Sequence, residues 1–111
     1  MTDLLSKQCI PCSIGAPTLN EEEIKELLPS LKEGWNVIDN KRIEKSYKFK
    51  NFKEALDFVN KVGELAEKEG HHPDIYLSWG KVDITLFTHK IDGLHENDFI
   101  LAAKIDEIDT F

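Results

Sequence analysis

Hydrophobic residues recur at helical spacing in the middle of the chain. The pattern begins after Asn51, a suitable N-cap, and ends at Gly70, which suits the left-handed position that follows a helix. The apolar positions between them lie three and four residues apart, as in an amphipathic helix: Phe52, Ala55, Leu56, Val59, Val62 and Ala66. The pattern therefore predicts a helix of about 18 residues, long enough to lie across a sheet.

Two further helices are predicted, one on each side of this segment. The first begins at Thr18 or Asn20, has acidic residues at 21–23, where the helix dipole favours them, and is closed by Pro29. The last begins at Asn97 or just before it. Its buried side is expected to contain Phe99, Leu101, Ala102, Ile105 and Ile108.

Alternating or short apolar runs predict four strands, at 35–39, 42–50, 75–79 and 82–89. Asp39-Asn40 joins the first two strands and Gly80-Lys81 joins the last two, so each pair forms a hairpin. His89 is expected to end the fourth strand. The order α-β-β-α-β-β-α predicts an α+β fold, a single domain with a four-stranded antiparallel sheet and three helices packed on one face.

Length and composition agree with one folded domain. The chain has 111 residues, a net charge of −7 and 41% apolar residues. Residues 1–17 have no sustained period and contain Pro11, Gly15 and Pro17, which predicts a flexible N-terminal arm before a domain at 18–111. Acidic residues spread along the chain argue against a nucleic-acid surface. Since the sequence has neither a membrane-length apolar run nor a signal-peptide pattern, we expect no membrane partner and a cytoplasmic location.

The predicted arm contains the two cysteines, Cys9 and Cys12, in a CxxC arrangement. Such a pair can be a redox centre or half of a zinc site. A redox pair is expected at a strand-to-helix junction, and a zinc site needs four ligands. Neither requirement is met by the sequence, so the thiols are interpreted as incidental and their role stays open.

All four histidines lie between residues 71 and 95. His71 and His72 follow a predicted helix C-terminus, which favours the protonated imidazole, and His89 lies at the end of a predicted strand. Imidazoles that titrate near neutrality are well suited to move protons. Glu67, four residues before His71, and Asp98, in the first turn of the last helix, are carboxylates that could orient them.

Each candidate also has a purely structural explanation. A single histidine is most often a surface or capping residue, and Glu67 alone would be an exposed helix carboxylate. Trp35 and Trp79 could offer flat faces to a planar ligand, yet Trp35 alone is more often a core residue. Asp98 alone would simply stabilise its helix terminus. The residue types therefore make a proton-transfer site a hypothesis and do not name a reaction.

The spacing of these residues is more specific. The string Glu67-x3-His71-His72-Pro73-x5-Trp79-x9-His89-x8-Asp98 resembles the signature of the pterin-4a-carbinolamine dehydratases. The similarity extends from about residue 18 to residue 108. It also includes the dipeptides Gly34-Trp35, Thr88-His89 and Gly93-Leu94.

The resemblance implies a hydro-lyase that dehydrates a 4a-hydroxytetrahydropterin to the quinonoid dihydropterin and water, in support of tetrahydropterin recycling. It implies no metal, no cofactor, a pterin as the small-molecule partner and a homodimer or homotetramer. By similarity His71 and His89 would handle the protons and His72 would orient or bind the substrate. The residues expected to line or support the pterin pocket are Glu67, Trp35, Thr88 and Asp98.

Two other interpretations remain open from the sequence. The histidines with Glu67 or Asp98 could form a zinc site, although the adjacent His71 and His72 cannot easily point at one ion. The same fold could also be a non-catalytic pterin-binding or protein-interaction module. Asn97 stands where animal members have a basic residue, and His95 has no assigned place. The sequence does not specify which pterin is used.

Overall fold

The structure, a computed structural model, describes residues 18–108. The predicted N-terminal arm and its two cysteines lie outside the described residues. The predicted order α-β-β-α-β-β-α is confirmed, with short 3-10 turns at Leu28–Ser30 and His89–Ile91. The helices and strands are α1 (Glu21–Leu27), β1 (Asn36–Ile38), β2 (Arg42–Lys48), α2 (Phe52–Glu69), β3 (Asp74–Ser78), β4 (Lys81–Leu86) and α3 (Glu96–Asp106).

The four strands form one antiparallel sheet in the order β1-β2-β4-β3. The sequential strands pair as hairpins, and β2 pairs with β4 to join the two hairpins, with Ile43 opposite Leu86. Val82, Ile84 and Leu86 alternate along β4 and are all fully buried. They face the core that the helices complete, which confirms the predicted antiparallel sheet with helices on one face.

The long helix α2 has both predicted ends. The Glu54 N–H donates to the Asn51 side chain over 2.9 Å, and Gly70 follows the helix with φ +69°. The buried stripe is shifted from the predicted one, because Phe58 is fully buried while Phe52 is 44% exposed. Ala55, Phe58, Val62 and Ala66 make the face against the core, at spacings of three and four residues.

The outer helices are capped as follows. Of the two N-caps predicted for α1, Asn20 is the one observed, and its side chain accepts from the Glu23 N–H over 2.9 Å. Helix α1 gives way to a 3-10 turn that contains Pro29. Helix α3 is capped by His95 and is buried on more sides than predicted, since Ile100 is 2% and Ala103 is 6% exposed.

The predicted extent of the fourth strand is wrong at its end. Strand β4 ends at Leu86, and His89 begins a 3-10 turn. Pairing with β3 stops at Asp74, next to Pro73, which has no N–H to donate. Thr88 then pairs with Gly93 in an isolated bridge, which turns the chain out of the sheet. His89 therefore projects from a tight turn beside the edge strand.

Candidate active site

The exit from α2 separates two adjacent histidines. Gly70 adopts a left-handed conformation, and the N–H groups of Gly70 and His71 both donate to the Ala66 carbonyl, over 2.9 and 3.3 Å. This turn reverses the chain immediately before the histidines. The His71 side chain is 13% exposed, whereas that of His72 is 60% exposed. The two imidazoles therefore have different environments despite being neighbours in sequence.

His71 contacts a buried carboxylate. Its Nε2 lies 2.5 Å from Oδ1 of Asp98, a residue of the first turn of α3 whose side chain is fully buried. The other carboxylate oxygen accepts from the Thr88 hydroxyl over 2.9 Å and from the His95 N–H over 3.0 Å. A loop, a turn and a helix terminus thus meet at Asp98, and two of the predicted pocket residues, Asp98 and Thr88, lie beside His71.

The contact with Asp98 bears on which ring nitrogen of His71 carries a proton. An ionised carboxylate is an acceptor only, and Oδ2 of Asp98 already accepts from the Thr88 hydroxyl and the His95 N–H. We therefore infer that His71 carries its proton on Nε2, in the manner of a histidine oriented by an aspartate. The Nδ1 atom is then the position at which the neutral ring can accept a proton.

His89 lies next to this cluster and is more accessible. Its side chain is 65% exposed, its ring centroid lies 4.1 Å from that of Phe87, and its Nε2 lies 4.0 Å from Oδ1 of Asp74. The guanidinium of Arg42 lies over the other ring of this stack, 5.3 Å from the Phe87 centroid. His89 directly follows Thr88, the residue whose hydroxyl donates to Asp98.

Glu67 does not contact His71, the histidine four residues after it. It pairs with Nε2 of His72, and both side chains are largely exposed. The turn at Gly70 accounts for this, because it moves His71 out of the helical position that would face Glu67. The exposed Glu67–His72 pair is thus separate from the contact of the partly buried His71 with Asp98.

Trp35 is placed elsewhere. It is 6% exposed, and its indole N–H donates to both carboxylate oxygens of Asp106. Asp106 lies eight positions after Asp98, at the opposite end of α3 and about 12 Å further along the helix axis. The structure thus brings together His71, Thr88 and Asp98, with His89 directly after Thr88 in the chain, and it does not bring Trp35 to them.

The residues that sequence reasoning missed are contacts of this site. Asp74 beside His89, Phe87 against its ring and the His95 N–H on Asp98 were not singled out. Asp74 follows Pro73, but only the pairing of β3 with β4 shows that it reaches the turn after β4. Trp79, the other tryptophan that could offer a flat face to a planar ligand, is 68% exposed in the β3–β4 hairpin.

The zinc hypothesis can be compared with the positions of residues 18–108. Over that range no group of three or more His, Cys, Asp or Glu side chains is arranged to hold a metal ion, so the proposed histidine–carboxylate set is not assembled.

No helix among residues 18–108 is both long and apolar enough to cross a membrane.

The fold and the site together define a small α+β protein with a histidine–carboxylate cluster at the edge of its sheet. The sequence matches the family Pterin 4 alpha carbinolamine dehydratase over residues 17–108. The chain therefore belongs to this family of hydro-lyases, as its sequence signature indicated.

Individual relatives agree with this assignment. A protein of Alkaliphilus metalliredigens, provisionally named pterin-4-alpha-carbinolamine dehydratase, is 61% identical over 96% of this chain and 96% of its own length. A relative of the same provisional name from Rubrobacter xylanophilus is 54% identical over 97% of this chain and its entire length. The crystal structure of a transcriptional coactivator/pterin dehydratase from Brucella melitensis superimposes with a TM-score of 0.74 and 38% identity, over 80% of this chain and 95% of that one.

Proposed function

We propose that the protein catalyses the dehydration of 4a-hydroxytetrahydropterin to quinonoid dihydropterin and water by histidine acid/base chemistry. The observation that carries the proposal is the contact of His71 with the buried Asp98, in a chain of the pterin dehydratase family. An imidazole oriented by a carboxylate is a common device for moving a proton at neutral pH.

The reaction needs one proton delivered and one removed. The bond between C4a and the hydroxyl oxygen breaks, the hydroxyl takes up a proton to leave as water, and a ring N–H loses its proton. We assign the removal to Nδ1 of His71, because the charge of Asp98 stabilises the imidazolium that forms. We assign the delivery to His89, whose exposed ring can regain its proton from solvent.

The remaining predicted site residues have supporting roles in this proposal. Thr88 holds Asp98 in place through its hydroxyl, and His72, paired with Glu67 at the rim, contacts the polar edge of the pterin. The burial of Trp35 against Asp106 supports a role in the fold rather than a contact with substrate. The cytoplasmic location and the homodimer or homotetramer remain predictions from the sequence.

The test is a dehydration assay on 4a-hydroxytetrahydropterin, with the uncatalysed rate subtracted. We expect His71→Ala and His89→Ala each to lower kcat/KM by about 10²-fold or more, the usual contribution of a positioned acid or base. Lys53→Ala, which changes an exposed residue of α2, is the matched control and should leave the rate unchanged.

The alternative function, a non-catalytic pterin-binding or protein-interaction module, gives a different result. Calorimetric binding of a tetrahydropterin analogue without any acceleration of dehydration would favour it. Wild-type rates in both histidine variants would contradict the acid/base assignment even if the protein accelerates the reaction.

A further inference from the structure

His95 is the N-cap of α3 and contacts the candidate active site through its backbone. Its ring Nδ1 accepts a hydrogen bond from the Asn97 N–H over 3.1 Å, and its own N–H donates to Oδ2 of Asp98 over 3.0 Å. The Asp98 N–H in turn donates to the His95 carbonyl over 3.0 Å. The backbone and the ring of His95 thus fix the first turn of α3, in which Asp98 lies.

Histidine is an unusual N-cap because its acceptor can be lost. The common caps Ser, Thr, Asp and Asn accept through an oxygen atom, and most of them do not titrate near neutral pH. A histidine nitrogen accepts only while it is unprotonated, and the imidazolium has donors at both nitrogens. The imidazolium would also place a positive charge at a helix N-terminus, where the dipole opposes it. The cap therefore exists only in the neutral state of His95.

The surroundings of His95 contain several charged groups. On α3 these are Glu96 and Asp98, and His71 lies beyond the carboxylate of Asp98. The turn that precedes His95 carries His89, Lys90 and Asp92. The segment before α1 also reaches the residue next to His95, since the Leu19 N–H donates to the Leu94 carbonyl over 2.8 Å. Residues 18–20 of this segment carry no charge.

We propose that His95 is a pH-sensitive positioning residue. As a neutral imidazole it caps α3 and holds Asp98 against His71; when it is protonated, the cap opens and the His71–Asp98 contact loosens. This inference rests on the proposed function for its effect on catalysis, but the change in the cap does not depend on any activity. It predicts that a group which touches no substrate contributes to the acidic limb of the rate profile.

The first experiment compares kcat/KM from pH 5.5 to 8.5 for the wild type, His95→Ser, His95→Asn and His95→Ala. Serine and asparagine restore the cap without a group that titrates in this range, so their activity at pH 8.5 should stay within about twofold of the wild type. Their acidic limbs should be shallower, with a loss from pH 8.5 to 5.5 that is about three- to tenfold smaller. His95→Ala, which has no cap at any pH, should be about fivefold less active than the wild type at pH 8.5 and should approach the wild-type activity at pH 5.5, where the wild-type cap is also open.

The second experiment follows the ring nitrogens of His71 by NMR over the same pH range, without substrate. In the wild type the His71 signals should respond to the titration of His95, and this response should disappear in His95→Ser. The asparagine variant serves the same purpose if the serine variant does not fold.

The two experiments separate this inference from the proposed function. Identical acidic limbs and identical His71 titrations in wild type and His95→Ser would overturn the role of His95, whatever the activity. A changed His71 titration in a protein without dehydration activity would support the role of His95 and contradict the proposed function.

Discussion

The indole N–H of Trp35 donates to both oxygens of the Asp106 carboxylate, over 3.0 and 2.9 Å, and so joins two residues that are 71 positions apart. Lys45 and the Tyr47 hydroxyl bond to the same carboxylate over 2.9 and 3.1 Å, and the Lys32 N–H donates to it over 3.0 Å. The side chain of Asp106 is only 2% exposed. This carboxylate therefore connects the segment before β1 and strand β2 to the end of α3.

Replacing Asp106 by Asn should destabilise the fold. The amide keeps the size of the side chain but removes the charge that balances Lys45, and its NH₂ group cannot accept from the surrounding donors. We expect a loss of about 2 to 4 kcal/mol in the free energy of unfolding, measured by urea denaturation at pH 7. Asp39→Asn makes the same chemical change in an exposed turn and should alter stability by less than about 0.5 kcal/mol.

Tyr47 should make the stability of the protein fall at alkaline pH. Burial, followed by the charge of Asp106 and the hydrogen bond to it, raises the pKa of Tyr47 well above its usual value of 10. The unfolded chain, with a tyrosine pKa of about 10, loses this proton first. The contribution of Tyr47 to stability is thus fully present below pH 10 and is lost as the pH rises above 10, by up to about 1.4 kcal/mol per pH unit.

The measurement is the free energy of urea unfolding between pH 8.5 and 11. Tyr47→Phe should be less stable by about 1 kcal/mol at pH 8.5, through the lost hydrogen bond, and should decline less steeply above pH 10. Tyr76, which is 61% exposed, provides the control, and Tyr76→Phe should keep the wild-type slope. Equal slopes in Tyr47→Phe and the wild type would show that Tyr47 does not cause the decline.

Thr88→Val should impair catalysis more than it impairs folding. The substitution keeps the shape of the side chain but removes the hydroxyl that donates to the fully buried Asp98. We expect kcat for 4a-hydroxytetrahydropterin to fall about tenfold and the free energy of unfolding to fall by about 1 to 2 kcal/mol. Thr85→Val removes a hydroxyl bonded to Glu44 and is the control, with kcat expected to be unchanged.

Replacement by alanine should change the stability of the fold in opposite directions at Gly63 and Gly70. A Cβ at either Gly63 or Gly70 would meet no atom within 4 Å, so neither variant is limited by space. Gly63 lies within α2, where alanine is favoured, and Gly63→Ala should stabilise the fold by up to about 1 kcal/mol. Gly70 has φ +69°, so Gly70→Ala should cost about 1 to 2 kcal/mol.

Activity distinguishes the two glycine variants further. Because Gly70 directs His71 inward and His72 outward, Gly70→Ala should also lower dehydration, whereas Gly63→Ala should not. The measurements are thermal unfolding and the dehydration rate of both variants. Stabilisation by Gly70→Ala would contradict the role given to the left-handed turn.

Local patterns in the sequence were sufficient for most of the fold. Asn51 and Gly70 mark the ends of α2 because capping depends on nearby backbone groups, and alternation placed Val82, Ile84 and Leu86 on one buried face. The end of β4 was misplaced for the opposite reason. Alternation continues to His89, but the strand stops where its partners stop, and pairing between distant segments has no local signal.

The candidate site was predicted only in part, because its contacts also depend on how distant segments pack. Resemblance to a family indicated His71 and Asp98, but their direct contact depends on how α3 packs beside the exit of α2. The pairing of Glu67 with His72 depends on one positive φ angle. His95 was left without a role because a histidine N-cap lacks the Ser or Thr that usually marks a capping sequence.

Helix α3 has a buried carboxylate at each end, Asp98 at the first turn and Asp106 at the last. Each is bonded to a different part of the chain, so a translation of the helix along its axis would break contacts at both ends at once. We therefore expect α3 to keep its position when a substrate binds. The adjustment to the shape of the substrate then falls on the segments at 71–73 and 87–95, which border the helix without being part of it.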